Sequence, residues 1–325
     1  NFDVDKAYQA ITKHQTTPGK YHECGGWAGN KNLASYLKYG YVANEDGPVS
    51  NTLEIAFDDW AVAQMAKALG KRKDYKTFME RSENYKNVFD PKTGFFRQKH
   101  AGGEWVQDWD SLENHGTWYG AGYVEGTAWH YSFFVPHDYK GLIGLVGKER
   151  LSRRLESGFE KGFVDIGNQP NMQAPFVFNY IGKPWLTQKY VNQLLEEDFN
   201  SHPYGGWPGE EDQGQLGAWY VLASMGLFQI DGGCATEPFY TFSRPLYDRL
   251  EIQLDSKYYS GNTLVIETEN NAPDNMYIQS VKFNGKPLKS PWVYHKDLIQ
   301  GGTLKYVLGP KPNKTWGTDM QELKY

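Results

Sequence analysis

Cysteine is almost absent from this 325-residue sequence, with Cys24 and Cys234 alone. Two are too few for a disulfide framework and too isolated for a cysteine-rich metal knot, although one bridge between them stays open. His22-Glu23-Cys24 lacks the second Cys or His pair from which a zinc site draws its ligands. Net charge is scarce too, −5 at pH 7, and no basic block occurs, which excludes nucleic acid and anionic membrane as main partners. No apolar run is long enough to span a bilayer. Neither an initiator Met nor a leader stands at Asn1-Phe2-Asp3, so the chain is expected to be a processed or excised piece.

Aromatic side chains are plentiful: 11 Trp, 23 Tyr and 17 Phe make 16% of the residues, with 39% hydrophobic overall. Such a chain can bury a large core and form one big domain or two ordinary ones. Helical periodicity dominates the first two-thirds. Asp3 to His14 reads as a short helix, and Ser50-Asn51-Thr52 caps a strong one, Leu53 to Leu69, that is apolar almost all round and must be buried on most sides. Lys73 to Phe89 follows with one apolar stripe on a charged surface, as an outer helix packed on an inner one has. Gly147-Lys148 and Gly182-Lys183 introduce two more charged helices with single stripes. Their inner partners, Thr127 to Val135 and Met172 to Ile181, are apolar or aromatic on most faces, and Pro136 and Pro175 break or kink them. Alternating inner and outer helices imply an α/α toroid with a cavity at one axial end.

From about Tyr247 the apolar period becomes two, in Leu250, Ile252, Leu254, then Leu264 and Ile266, then Tyr277 to Phe283, so strands replace helices. Asn284-Gly285 signals a hairpin, and Leu304, Tyr306 and Leu308 make a last strand. The expected organisation is an α/α-barrel portion over 1–238 and a small antiparallel β region over 239–325.

Carboxylates and amides collect at a few places. Gly205 to Gly209, with Trp207 and Pro208, forms a stiff loop leading to Glu210, Glu211 and Asp212 and then to an apolar helix. That spacing puts the three acids on the helix's first turn, where free N–H groups and the macrodipole favour ionised carboxylates, suited to a base or a cation ligand. Plain helix capping is the alternative reading. Glu125, in Tyr123-Val124-Glu125-Gly126-Thr127-Ala128-Trp129, has apolar and aromatic neighbours, and burial among such groups favours the protonated carboxyl that a proton donor needs; a carboxylate satisfying a helix N-terminus is the alternative reading. Glu54 and Asp58 share one face of the buried helix, with Asp59 beside them. Either a structural salt bridge or a ligand makes them tolerable there. Asn168, Gln169, Asn171 and Gln173 offer neutral oxygens that would complete a calcium sphere, or else cap their own loop. His115, His130, His137 and His202 read as core or rim residues. Trp129 and Trp207, with Asp58, Asp59 and Glu211, are the candidate contacts to a neutral polyhydroxylated ligand.

These motifs in this order resemble the calcium-dependent exo-α-mannosidases of glycoside hydrolase family 92. The likeness is carried by Thr52-Leu53-Glu54 with Phe57-Asp58-Asp59-Trp60-Ala61, by Glu125-Gly126-Thr127-Ala128-Trp129, and by Val135-Pro136-His137-Asp138. Gly167-Asn168-Gln169-Pro170, Gly182-Lys183-Pro184-Trp185, the run from Glu210 to Tyr220 and Tyr277-Ile278-Gln279-Ser280 continue it. The resemblance implies hydrolysis of terminal α-linked mannose with inversion, Glu125 as the general acid, and Glu210 and Asp212 as the base pair. It places Asn168, Gln169 and Asp212 at a Ca2+ ion that helps distort the sugar. Glu210 stands where the family has Asp, and Asp165-Ile166 stands where α-1,2-specific members carry a His-Glu pair. The helices are fewer than a six-hairpin toroid requires, and no family-type N-terminal β-sandwich is matched. The expectation is therefore a C-terminal catalytic portion, partnered by that sandwich in the same protein or in a second chain. The resemblance also implies a secreted, periplasmic or cell-surface location. Another α/α-toroid glycosidase or phosphorylase, or a noncatalytic carbohydrate-binding scaffold, is the alternative. The inverting reading expects Glu125 and Asp212 to be roughly 6.5–9.5 Å apart, room for one water.

Overall fold

The computed structural model describes residues 2–113 and 122–318. It divides into two compact units, one comprising Asn1–Gly147 with Cys234–Thr236, the other Lys148–Gly233 with Glu237–Tyr325. The division falls inside the helical part of the chain, whereas the change of element type comes later, between Ser224 and Phe239.

The first unit is built on helix α3 (Ser50–Ala68), preceded by α1 (Val4–Thr16), the hairpin β1 (Lys20–His22) and β2 (Gly26–Ala28), and α2 (Leu33–Tyr39). As its all-round apolar pattern demands, α3 is enclosed: Leu53, Ile55, Ala56, Trp60, Val62, Ala63 and Ala66 are all buried. α1 and α4 (Arg72–Arg81) lie against it, Val62 and Ala63 packing on Phe78 with Ile11, Tyr75 and Met79 alongside. The expected single helix over 73–89 is α4 followed by a 3-10 segment, Ser82–Val88. After the short pair β3 (Phe89–Asp90) and β4 (Phe95–Phe96) come α5 (Ala128–Tyr131) and α6 (Tyr139–Val146). α5 is shorter than its apolar run predicts. Ser132 donates its hydroxyl to the Ala128 carbonyl at 2.6 Å, and the backbone then turns ahead of Pro136.

In the second unit α7 (Lys148–Glu160) and α9 (Pro184–Glu197) show the stripe of outer helices, with Leu151 and Leu155, and Tyr190, Val191 and Leu194, turned inward. Tyr190 stacks on Phe159 and on Phe178 of the inner helix α8 (Val177–Tyr180), every residue of which is buried. Pro175 shortens α8 by holding Ala174–Phe176 in a 3-10 turn. Helix α10 (Gln215–Ser224) ends at Met225, followed by left-handed Gly226.

The β region holds two sheets. One has the order β11-β6-β5 (Trp292–Tyr294, Phe239–Phe242, Leu227–Phe228); the other has the order β10-β9-β12-β8-β7, from Lys286–Leu288, Tyr277–Phe283, Gly302–Gly309, Thr263–Glu269 and Arg249–Gln253. Between β11 and β12 lies a one-turn helix, α11 (His295–Leu298). β9 and β10 are joined by Asn284 and Gly285, both at positive φ as a two-residue hairpin turn requires. The expectation of a purely antiparallel region is corrected by β12, which runs parallel to β8 while pairing antiparallel with β9. The connection between those parallel strands holds β9, β10, β11 and α11, long enough to bring the chain back in the same direction. Leu264, Ile266, Ile278, Val281, Leu304, Tyr306 and Leu308 close the core of this unit with Phe242 and Leu227. Cys24 and Cys234 are both exposed and form no disulfide.

Candidate active site

The acids on α3 have different surroundings. Asp59 has no exposed surface; Arg81 Nη2 lies 2.8 Å from Oδ1, Arg81 Nε donates to Oδ2 at 3.0 Å, and Tyr36 donates to Oδ2 at 2.9 Å. Arg81 also donates to the Gln15 carbonyl at 2.8 Å, fastening the end of α1. Burial pushes the Asp59 carboxyl up to about 7 against the pull of Arg81. Of the two readings of Asp59, the geometry is that of the structural salt bridge, since nothing outside can reach it.

Glu54 and Asp58 are different. Glu54 is half-buried and Asp58 keeps an open surface, yet the protein around each is enough to raise its carboxyl above the ordinary range. A group that water touches while protein surrounds most of it lies in a recess. Burial is the main cause at both. At Glu54, Asp58 and Glu125 add to it while the Tyr131 hydroxyl pulls the other way; at Asp58 the opposing pull is Gln15, whose amide donates at 3.3 Å.

Glu125 is therefore in the electrostatic neighbourhood of Glu54. It is half-buried and sits at φ 49°, a left-handed conformation that costs a residue with a Cβ roughly 1–2 kcal/mol. What holds it there comes from both flanks. Val124 N donates to Ser50 Oγ at 3.1 Å, Ser50 N donates to the Gly122 carbonyl at 3.2 Å, and Tyr131 lies 2.9 Å from both the Val124 carbonyl and Glu54 Oε1. On the far side Thr127 caps α5, accepting from Trp129 N and His130 N, while its own N–H donates to His130 Nδ1. Trp129 is half-buried, edge-on to Phe95, with its indole N–H donated to Ser111.

The second unit carries the amides and the later acids. Asn168 accepts the Gln169 N–H at 2.8 Å and so begins the 3-10 turn Gln169–Asn171, while Asn171 donates to the Asp165 carbonyl and Gln173 to that of Pro170. Glu210 N donates to the Gly167 carbonyl at 3.1 Å, tying the acid run to the amide run. The approach requires glycine, because a Cβ on left-handed Gly209 would collide with the Gly167 carbonyl.

The three acids do not lie on the first turn of α10, as their spacing predicted. Gly214, at φ 73°, breaks the backbone before the helix starts at Gln215, so Glu210 to Asp212 form a loop ahead of it. Only Glu211 reaches the free amides, accepting from Leu216 N at 3.3 Å and Gly217 N at 2.7 Å. Glu211 is thus the cap, and Glu210, Asp212 and Trp207 are exposed.

Among the histidines, His137 is buried with Nε2 3.0 Å from the Ser82 carbonyl, and His202 Nδ1 accepts from Tyr204 N at the surface. His115 lies outside the described residues. Among the described residues no three His, Cys, Asp or Glu side chains gather as a metal cage, so a cation here has to draw on amide and carbonyl oxygens. A cavity of about 620 Å³ between α1 and the β1–β2 hairpin is lined by Lys13, His14, Lys20 and His22 and, among the described residues, by no carboxylate, so it does not offer the pair of carboxyls that glycoside hydrolysis uses. Tyr131 is the site residue the sequence did not disclose: it touches Glu54 across 77 positions, a span no local spacing rule covers.

Comparison with known proteins adds to this geometry. The glycosyl hydrolase family 92 catalytic domain model matches residues 1–310. A protein named an uncharacterized secreted glycosidase, from Arthroderma benhamiae, is 30% identical over 99% of this chain and 44% of its own length. Among solved structures, the family GH92 inverting mannosidase BT2199 of Bacteroides thetaiotaomicron superposes with a TM-score of 0.88 at 30% identity, over 100% of this chain and 46% of that one. The GH92 α-mannosidase BT3965 of the same bacterium, in complex with mannoimidazole, gives 0.84 at 25% identity over 98% and 42%. The chain spans less than half the length of each.

Proposed function

This chain belongs to glycosyl hydrolase family 92, and we propose that it supplies the catalytic residues of an exo-acting, calcium-dependent α-mannosidase that inverts configuration. The observation that carries the reading is the family match over nearly the whole chain. The likeness to a solved inverting mannosidase, and to an α-mannosidase in complex with mannoimidazole, supports it.

In this reading Glu125 donates its proton to the glycosidic oxygen as the bond to the leaving sugar breaks. Asp212, with Glu210, takes a proton from water as that water attacks the anomeric carbon from the opposite face. Glu125, fixed at a left-handed turn with its backbone held on both sides, is suited to a directional proton transfer. Asp212, exposed in a loop and not engaged in capping, is suited to receive a proton from water. Glu211 is left out of the substrate contacts because it serves α10, and Asp59 because it serves Arg81; Asp58, Trp129 and Trp207 remain.

The donor set fits a hard cation: the atoms of Asn168, Gln169 and Asp212 able to ligate one are oxygens, and in the same run Asn171 Oδ1 is buried with no donor among the described residues. Calcium bound there would supply positive charge to neighbouring sugar hydroxyls and so favour a distorted ring. We read the helices as part of an (α/α)6 toroid, acting with an N-terminal β-sandwich segment, and the protein as secreted, periplasmic or cell-surface. The support for that location is the name of the Arthroderma benhamiae relative, a secreted glycosidase.

The test is hydrolysis of α-mannosides against α-glucosides, before and after chelation and calcium return, with the first-formed anomer read by NMR. Release of β-mannose that stops on chelation and resumes with calcium is expected. Preference for glucosides, activity indifferent to the chelator, or α-mannose as first product would each overturn the corresponding part.

A further inference from the structure

The Tyr131 hydroxyl has a single hydrogen and two acceptors at 2.9 Å, the Val124 carbonyl and Glu54 Oε1, with the Ser50 hydroxyl beside it as a donor to the tyrosine oxygen. The carbonyl can only accept. If Tyr131 donates to it, its contact with Glu54 is a hydrogen bond only when the Glu54 carboxyl holds its own proton and donates to the tyrosine oxygen. If Glu54 is ionised, Tyr131 turns its hydrogen to the carboxylate and the Val124 carbonyl is let go. That carbonyl belongs to the residue immediately before Glu125, whose left-handed backbone needs support from its surroundings.

We propose that Tyr131 and Glu54 are a positioning pair for Glu125, the protonated Glu54 carboxyl directing the Tyr131 hydrogen onto the Val124 carbonyl and so holding the turn from which Glu125 projects. This rests on the reading of Glu125 as the general acid. Neither residue touches substrate in the proposal. Burial works in its favour, since it raises the Glu54 carboxyl toward the neutral state. Among the described residues the charged groups that act on Glu54 are Asp58, one turn along α3, and Glu125; both are acidic, and both oppose a charge on Glu54. Tyr131 is held well above its ordinary value by burial, so it stays a hydroxyl throughout the working range.

The experiment uses full-length protein and four forms: wild type, Tyr131→Phe, Glu54→Gln and Glu125→Gln, each checked by circular dichroism. Tyr131→Phe keeps the ring and removes the bond; a fall in kcat of roughly tenfold to a hundredfold with KM little changed is expected for a misaimed proton donor. Glu54→Gln fixes the neutral, hydrogen-donating form and covers the case in which the tyrosine variant does not fold. Its plateau kcat should stay within about twofold of wild type. Its alkaline limb should fall with a slope of about one proton, against a steeper fall over the first tenfold to hundredfold in wild type, where ionisation of Glu54 also releases the turn. Equal slopes in the two proteins, or an unchanged kcat in folded Tyr131→Phe, would overturn the positioning role. Failure of the underlying reading looks different: Glu125→Gln would then hydrolyse unactivated mannosides normally. If the reading holds, that variant loses them while retaining an aryl mannoside whose leaving group needs no proton.

Discussion

His137 shows at a single residue how burial becomes a dependence on pH. Its Nε2 lies 3.0 Å from the Ser82 carbonyl, which can only accept, so the proton sits on Nε2 and Nδ1 is bare and buried without a partner among the described residues. Rings of Phe57, Trp60 and Tyr85 surround it. A second proton would bury a charge in that apolar setting, and burial accordingly pushes the imidazole down to about 4. The sign follows from linkage: between pH 6.5 and 4 the unfolded chain binds this proton and the folded one does not. Stability is therefore full above pH 6.5 and lost as the pH falls, by roughly 3 kcal/mol at most. His137→Phe should lessen the fall in melting temperature across that range, whatever it does to stability at pH 7. A variant that melts with the same acid dependence as wild type would show that the sensitivity arises elsewhere; the Asp59 carboxyl, raised to about 7, works in the opposite sense.

At the scale of elements, α10 separates stability from chemistry. Glu211 accepts two of its first amides, in the position a cap residue would take had Gly214 a side chain. Glu211→Ala should cost about 1 kcal/mol, a fall of about 1–2 °C in melting temperature for a chain of this size, with activity kept at temperatures where the protein is folded. Asp212→Asn should do the reverse, leaving the melt near wild type and removing turnover. Loss of activity in Glu211→Ala without loss of stability would return Glu211 to the substrate. The same helix shows what the sequence could disclose. Charged outer helices were legible because a single stripe at period 3.6 has one interpretation, and the strands after Tyr247 because period two has another. The inner elements were legible as buried but not as to length, since an apolar run gives no stop signal and Ser132 and Pro175 set their ends through local bonds. The acids were legible as a cluster, yet their place relative to the helix turned on the left-handed backbone of one glycine, Gly214, which composition does not announce. Tyr131 and Glu54 were out of reach of any such reading, because their pairing is made by packing.

Over the whole molecule, the candidate chemistry is divided between two compact units. Glu125, with Glu54 and Tyr131, belongs to the first, while Asn168, Gln169, Glu210 and Asp212 belong to the second. Each unit has its own core, so a perturbation of one set of side chains should register first in the unit that carries it. The proposed calcium site provides the means to see this, since all of its candidate ligands lie in the second unit. An ion bound only to the folded state stabilises it by about 2.7 kcal/mol at a hundred times its dissociation constant. Hydrogen exchange with calcium and then with chelator should therefore show protection lost over 165–173 and 208–217, where the Glu210–Gly167 bond joins the two loops, while the amides of α3 and α4 change little. Gly209→Ala, which forces those loops apart, should abolish the calcium response without any change at Glu125. Protection that responds to calcium only in the first unit would remove Asn168 and Asp212 from the metal and place the ion among the acids of α3.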